Sequence, residues 1–175
     1  PLGEQQTELA SSGFFFKTPT AVRPDGATTD PSENTKYQEA LARLEKLDQS
    51  INQTTDAAQL ATLHAQRADL AEQLASLSDS AEDKSTWIHN LADTVSAAVQ
   101  QGQYPQGVER LRALQSKLTA ANEAELAAYV QFRVLMADYG LRLATQPNDF
   151  VKVQTEWLGS LQKYVTDFHK SPDTA

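Results

Sequence analysis

Cysteine is absent from the 175 residues, and aromatic residues make up only 7% of them. Without cysteine the chain forms no disulfide, no thiolate metal site and no thiol nucleophile of its own. Basic residues are also few: 15 Lys and Arg stand against 23 Asp and Glu, for a formal net charge of −8 at pH 7. Phosphate backbones and anionic lipids repel so acidic a chain, so no nucleic-acid partner is expected.

Long apolar runs are missing too. No stretch approaches the roughly 18 consecutive apolar residues of a membrane-spanning helix, so no membrane insertion is expected. Ala, Leu and Gln, which favour helices, are abundant, and no segment has a plausible strand pattern. The length suffices for one domain with a real core. The sequence therefore predicts an all-α domain.

Residues 1–30 have the composition of an extended linker or tail, because Thr, Pro, Asp and Gly are mixed there without a period. Three consecutive phenylalanines, Phe14, Phe15 and Phe16, interrupt this polar segment. Two interpretations stay open. The phenylalanines dock on the protein's own helices, or they form a short anchor that binds a partner.

Residues 31–170 are predicted to form about six antiparallel helices, each with a recognisable start. Asp30 precedes Pro31 at the first helix, while Asp56 and Ser80 are the predicted N-caps of the second and third. By the same reasoning, the third helix ends at Gly102. The fourth, fifth and sixth helices are predicted to start at Pro105, Asn122 and Pro147.

Apolar residues at steps of three and four predict the buried faces. The second helix has a seam from Leu60 to Leu77 that resembles a coiled coil, and the fifth is apolar on two sides, as a central helix would be. On the sixth helix the predicted inward face is Phe150, Val153, Trp157, Leu161, Tyr164 and Phe168. A second apolar line on that helix, spaced by seven, consists of Val151, Leu158 and Val165.

The two tryptophans suggest an internal repeat. Trp87 and Trp157 stand in similar contexts 70 residues apart, and Arg67 and Arg133 also align. We therefore expect a duplicated three-helix unit, residues 36–101 and 105–169, in a tetratricopeptide-like solenoid or a helical bundle. The competing explanation is chance similarity between two Leu-rich helical hairpins.

Arg67 and Arg133 are the most informative polar residues, because each interrupts an apolar seam at the same place in its repeat. They are candidate interaction residues that present guanidinium groups to a bound anion or a partner carboxylate. The alternative is structural: each pairs with a carboxylate of an adjacent helix or extends its head to solvent.

No catalytic motif is found. The three histidines, His64, His89 and His169, lie on different predicted helices, and no nucleotide-binding or nucleophile motif occurs. His89 and Asp93 share a helix face and could hold a weak metal site, but an ordinary surface pair is favoured. We expect no cofactor and no metal, and no enzyme activity of this chain.

Two segments carry a resemblance, "TWIHNLADTVSAAVQQGQYPQGVERLRAL" and "EWLGSLQKYVTDFHKSPDTA". They resemble the helical N-terminal region of bacterial redoxin-domain (thioredoxin-like) proteins that carry tetratricopeptide-like helix pairs. The resemblance covers residues 37–175. It implies an exported, periplasmic bacterial protein whose thioredoxin-fold domain, a thiol-disulfide oxidoreductase, lies beyond residue 175.

Residues 171–175 place Ser171, Pro172 and Asp173 as the start of a further, truncated helix. In the intact protein, the second apolar line of the sixth helix is then expected to pack on helices beyond residue 175. In residues 1–175 alone, it is expected to be left exposed, or to be covered by a neighbouring chain or by the Phe14–Phe16 tail. The leading hypothesis is a non-enzymatic scaffold module that binds a protein partner or a downstream domain. The alternative is a self-associating homo-oligomeric bundle of a cell-envelope assembly, suggested by the Leu60–Leu77 seam.

Overall fold

The computed structural model of the protein describes residues 31–168. These residues contain six α-helices and no strand, which confirms the all-α class. The helices are α1 (Pro31–Gln53), α2 (Ala57–Ser76), α3 (Ala81–Gln100), α4 (Gly107–Ala120), α5 (Ala124–Thr145) and α6 (Phe150–Asp167), with a 3₁₀ turn at Pro147–Asp149 before α6. The predicted tail, with Phe14–Phe16, and the predicted start of a further helix at 171–175 lie outside the described residues.

The helices form a bundle of antiparallel neighbours joined by short loops. Each of α1/α2, α2/α3, α3/α4, α4/α5 and α5/α6 is a packed pair, and α3 also packs directly against α5. Helices α3 and α5 are therefore the centre of the bundle, as predicted for the fifth helix. In contrast, α6 lies at one end, packed chiefly on α5 and the turn before it.

The helix starts that depend on a local side chain are as predicted. Asp56 Oδ1 accepts a hydrogen bond from the Gln59 backbone N–H at 2.7 Å, and Ser80 Oγ accepts one from the Asp83 N–H at 3.0 Å. Each bond satisfies a donor that the first turn of the helix leaves unpaired. Pro31 is the first described residue and already lies in α1, so the predicted cap at Asp30 is outside the described residues and this start stays a prediction.

Three predicted helix starts are wrong. Pro147 begins a 3₁₀ turn, and α6 itself begins three residues later, at Phe150. Pro105 lies in a turn, and α4 begins two residues later, at Gly107. Asn122 does not cap α5: it has a φ of +58° and ends α4, where the Glu123 N–H reaches back to the Leu118 carbonyl at 3.0 Å. Asn suits either role, because it caps helices and also tolerates the left-handed conformation.

Gly102 ends α3 as predicted, in the same left-handed arrangement. Its φ is +73°, and the N–H of the next residue, Gln103, donates to the Ala98 carbonyl at 2.9 Å. Two consecutive helices thus end with one kind of hydrogen-bonded turn.

The predicted seam of α2 is used inside the chain. Leu60, Leu70 and Leu74 are buried, and α2 packs there between α1 and α3. This seam is therefore not available for contact between copies, so the self-association hypothesis loses the observation that suggested it.

The core-facing side of α5 is not formed by its large apolar residues. Leu126, Phe132 and Met136 are only half-buried, whereas the side in the core is made of small residues. These small residues let α3 and α5 approach closely, as the hydrogen bond from Ser96 Oγ to the Arg133 carbonyl at 3.3 Å shows. The buried residues of α5 are Ala127, Ala128, Val130, Val134 and Ala137.

Helix α6 buries two of the six residues of its predicted inward face and partly covers three more. Val153 and Tyr164 are buried, and Trp157, Leu161 and Phe168 are half-buried. Phe150 is 50% exposed, so its assignment to the inward face is wrong. It occupies the first residue of α6, directly after the connecting turn, where α5 does not cover it.

Candidate functional site

The largest apolar side chains left exposed among residues 31–168 all lie on α6. Val151 is 74% exposed, Leu158 53%, Phe150 50% and Val165 45%. Isolated exposed leucines are ordinary, but a set confined to one helix is not. Val151, Leu158 and Val165, here called the α6 line, are the exposed second line that the spacing of seven predicts. Phe150 extends this surface and was missed, because its position on the wheel also fits the inward face.

The opposite flank of α6 is charged. At roughly 100° per residue, the four charged residues of the helix lie about 150° around its axis from the α6 line. They are Lys152, Glu156, Lys163 and Asp167. Glu156 pairs with Arg142 of α5, and Lys163 pairs with Asp167 one turn on. The α6 line itself is bordered by Gln154, Thr155 and Gln162, so this side of the helix carries no charge.

Between these two flanks, aromatic contacts fix α6 on α5. The Trp157 ring stacks on Tyr139 with centroids 4.6 Å apart and 25° between the planes. Tyr164 packs on Phe132 at 5.8 Å. These rings hold α6 in one rotation about its axis, which directs the α6 line away from α5.

Arg67, the first candidate interaction residue, is buried, and its donors are used within the chain. Its Nε lies 2.6 Å from Asp48 Oδ1 on α1. Its Nη1 donates to Thr94 Oγ1 at 2.9 Å and to Asn90 Oδ1 at 3.2 Å, both on α3. The guanidinium thus joins three helices, which favours the structural alternative for this residue.

Arg133 also pairs with its own chain. Its Nε lies 2.6 Å from Asp93 Oδ1 on α3 and forms an ion pair there, but the Nε–H does not point at the oxygen well enough for a hydrogen bond. Its Nη2 donates a hydrogen bond to the Tyr129 hydroxyl at 2.7 Å. That hydroxyl donates to Asp93 at 2.5 Å, and the His89 ring packs on Tyr129 at 4.1 Å. Burial, reinforced by the bond to Asp93, raises the pKa of Tyr129 to about 12, so the phenol stays protonated at neutral pH.

A cleft of about 760 Å³ opens beside this cluster, between the first turns of α3 and the junction of α4 and α5. No sequence motif indicates this cleft, because its walls come from segments that are distant in the sequence. Lys84 crosses the cleft to Glu123 at 2.6 Å, and the other lining residues include Ser85, His89 and Leu126. Across residues 31–168, no three His, Cys, Asp or Glu side chains are grouped as metal ligands would be.

Comparison of the chain with family models, with curated proteins and with solved structures finds no match. The resemblance to the helical regions of redoxin-domain proteins therefore stays a prediction. Within residues 31–168, none of the helices combines the length and the apolar character that crossing a membrane requires.

Proposed function

We propose that the protein is a helical protein-interaction module that uses the exposed side of α6 as its docking surface for another helix. The observation that carries this proposal is the confinement of the large exposed apolar side chains of residues 31–168 to α6. A row of apolar residues without charge along one helix is the surface that helix-to-helix packing uses.

The energetics support a covered surface. Fully burying one Val, Leu or Phe side chain contributes roughly 1.5–3 kcal/mol, so covering the four partly exposed ones represents several kcal/mol of association energy. A terminal helix that only closed a bundle would need a single apolar face, whereas α6 has a second.

The ion pairs of the described residues also favour a binding role over a catalytic one. Arg67, Arg133 and Lys84, three cations positioned by α2, α5 and α3, are each paired with a carboxylate of the same chain. Such pairs hold helices together and leave those carboxylates no role as a free acid or base.

In the wider protein, the module is proposed to stand ahead of an exported redoxin-type domain, a placement supported by the sequence resemblance. The sequence encoded beyond residue 175 tests it. A C-x-x-C motif near a βαβ pattern there supports the placement, and its absence refutes it.

Site-specific photo-crosslinking tests the docking surface. A photoreactive amino acid replaces Leu158 on the α6 line in the full chain, and irradiation is carried out in the cells that make the protein. The matched control carries the same amino acid at Lys152, on the charged flank of α6. We expect a covalent adduct with a protein from position 158 and little from position 152. Equal yields, or no adduct from position 158, would contradict the proposal.

A further inference from the structure

Resting on the proposed docking role of α6, we infer that the helix it binds is α6 of a second copy of this chain, antiparallel and related by a two-fold axis at Leu158. The other surfaces of the described residues do not offer this pairing. The α2 seam is buried, and Lys84 pairs with Glu123 across the cleft beside α3 and α5.

The order of residues in the α6 line is self-complementary. Leu158 stands midway between Val151 and Val165, seven residues from each. In an antiparallel pair centred on Leu158, Leu158 meets its own equivalent, and Val151 of each chain meets Val165 of the other. A two-fold interface requires this kind of match, because the same patch must serve both sides.

Charge favours the same arrangement. Each chain has a formal net charge of −8, so two copies repel one another at most orientations. On α6 the charged residues lie on the flank away from the α6 line, and the residues bordering that line are neutral amides and Thr155. Two α6 lines therefore meet without placing like charges in contact.

Within residues 1–175, the chain's own Phe14–Phe16 segment is a rival occupant, and it is too short to cover the α6 line. From Val151 to Val165 the α6 line spans about 21 Å, at roughly 1.5 Å per residue. Three residues span at most about 11 Å when fully extended. A second α6 matches the full length of the line, whereas the phenylalanines cover about half of it.

Engineered disulfides test the pairing, and the absence of native cysteine makes them unambiguous. Three single variants of the full chain are prepared, Leu158→Cys, Val151→Cys and Val165→Cys, and each is oxidised mildly. The proposed geometry predicts that L158C links efficiently to itself. It also predicts that V151C and V165C link poorly alone, because their equivalents lie about 21 Å apart. A mixture of V151C and V165C chains should form the mixed disulfide. Efficient self-linking of V151C would overturn the antiparallel geometry.

Sedimentation over a concentration series measures the association without any cross-link. The unmodified full chain should form dimers, and Leu158→Glu should raise the dissociation constant at least about tenfold. Ser116→Glu, at an exposed position of α4, adds the same charge away from α6 and should leave the constant unchanged. Because Leu158 is 53% exposed, L158E should keep the helical circular-dichroism spectrum and unfolding midpoint of the dilute monomer.

The outcomes separate this inference from the proposed function. A chain that stays monomeric at all concentrations, yet cross-links from position 158 to a different protein in cells, overturns the inference and leaves the docking surface intact. A monomer that begins to dimerise after deletion of residues 1–20 identifies the chain's own tail as the occupant and also overturns it. Loss of both dimer and cross-link refutes the two proposals together.

Discussion

Two tryptophans in similar sequence contexts have different surroundings. Trp87 on α3 is fully buried, and its indole N–H donates to the Tyr37 hydroxyl of α1 at 3.0 Å. Trp157 on α6 is half-buried against Tyr139, and its indole N–H is buried without an acceptor among the described residues. Helix α3 packs against α2, α4 and α5, whereas α6 packs chiefly against α5 alone. A motif shared by two helices therefore does not specify how completely each is enclosed.

The two arginines differ in the same way. Arg67 pairs with Asp48 of α1, the helix before its own, and Arg133 pairs with Asp93 of α3. In the proposed duplication, Leu44 and Leu47 align with Leu111 and Leu114, 67 residues on. The equivalent of Asp48 is then Gln115, which cannot form the pair. The duplication of residues 36–101 and 105–169 stays a prediction. Because α3 is central in the bundle and α6 lies at one end, Trp87 and Trp157 have different neighbours.

The largest expected difference between the two regions concerns the tryptophans themselves. Trp87→Ala should cost about 3–5 kcal/mol of unfolding free energy, as for other fully buried aromatic residues, and Trp157→Ala roughly 1–3 kcal/mol. Urea unfolding at low protein concentration measures both. Tyr37→Phe is the companion variant: it leaves the Trp87 N–H buried without its acceptor and should cost roughly 1–3 kcal/mol. Equal losses for the two tryptophan variants would show that the regions are equally enclosed.

Alanine substitutions at two glycines, one in the core and one on α6, should change the stability of the protein in opposite directions. A Cβ at Gly107 would lie 2.6 Å from Val99 Cγ2 and 2.8 Å from Val95 Cγ1, inside the packed core. Gly107→Ala should therefore destabilise the protein by roughly 1–3 kcal/mol. At Gly159, in α6, a Cβ meets nothing within 4 Å. Gly159→Ala should stabilise the helix by up to about 1 kcal/mol. Thermal unfolding reads both changes, and a destabilising G159A would reveal a close neighbour of α6 within the monomer.

The smallest expected difference in stability is between variants of two glutamates, Glu72 and Glu156, each of which forms an ion pair with another helix. Burial acts to raise the pKa of Glu72, but hydrogen bonds and charges from Lys117 and Arg110 outweigh it and hold that pKa below 4.5. At Glu156, mainly the hydrogen bond from Arg142 lowers the pKa. A carboxylate whose folded pKa is lowered contributes stability above its unfolded pKa, and this contribution disappears as the pH falls through the folded value.

Glu72→Gln should therefore cost about 0.5–1 kcal/mol at pH 7. Its difference from the unmodified protein should shrink as the pH falls below about 4.5. Glu156→Gln should change stability less at every pH, because the Glu156 side chain is 45% exposed and that of Glu72 only 29%. Urea unfolding between pH 7 and pH 3 provides the measurement. A larger loss for E156Q than for E72Q would reverse the proposed ranking of the two regions.

Local chemistry explains what could be predicted from the sequence. Asp56 and Ser80 cap their helices because the acceptor and its N–H are three residues apart, which any helix start brings together. The exposed side of α6 follows equally from the spacing of seven between Val151, Leu158 and Val165, since this period keeps residues on one side of a helix.

Contacts between distant segments decide the rest. The role of Asn122 depends on whether the turn follows α4 or precedes α5, and both are compatible with the residue type. Small residues such as Ala127 form the core face of α5 because α3 approaches closely, which a search for large apolar residues cannot detect. The partners of Arg67 lie 19 to 27 positions away along the chain. The cleft beside Tyr129 is likewise built from segments that only folding brings together.

The most direct test of the central claim, that the α6 line lies outside the core of the monomer, is thiol labelling of Leu158→Cys at high dilution. Since the chain has no other cysteine, the rate reports this position alone. We expect labelling close to the rate of an unstructured thiol peptide, with protection that grows as the protein concentration rises. The buried reference is Leu111→Cys, at a position with 0% exposure, which should react slowly at every concentration. Labelling of L158C as slow as that of L111C, even at high dilution, would contradict the claim.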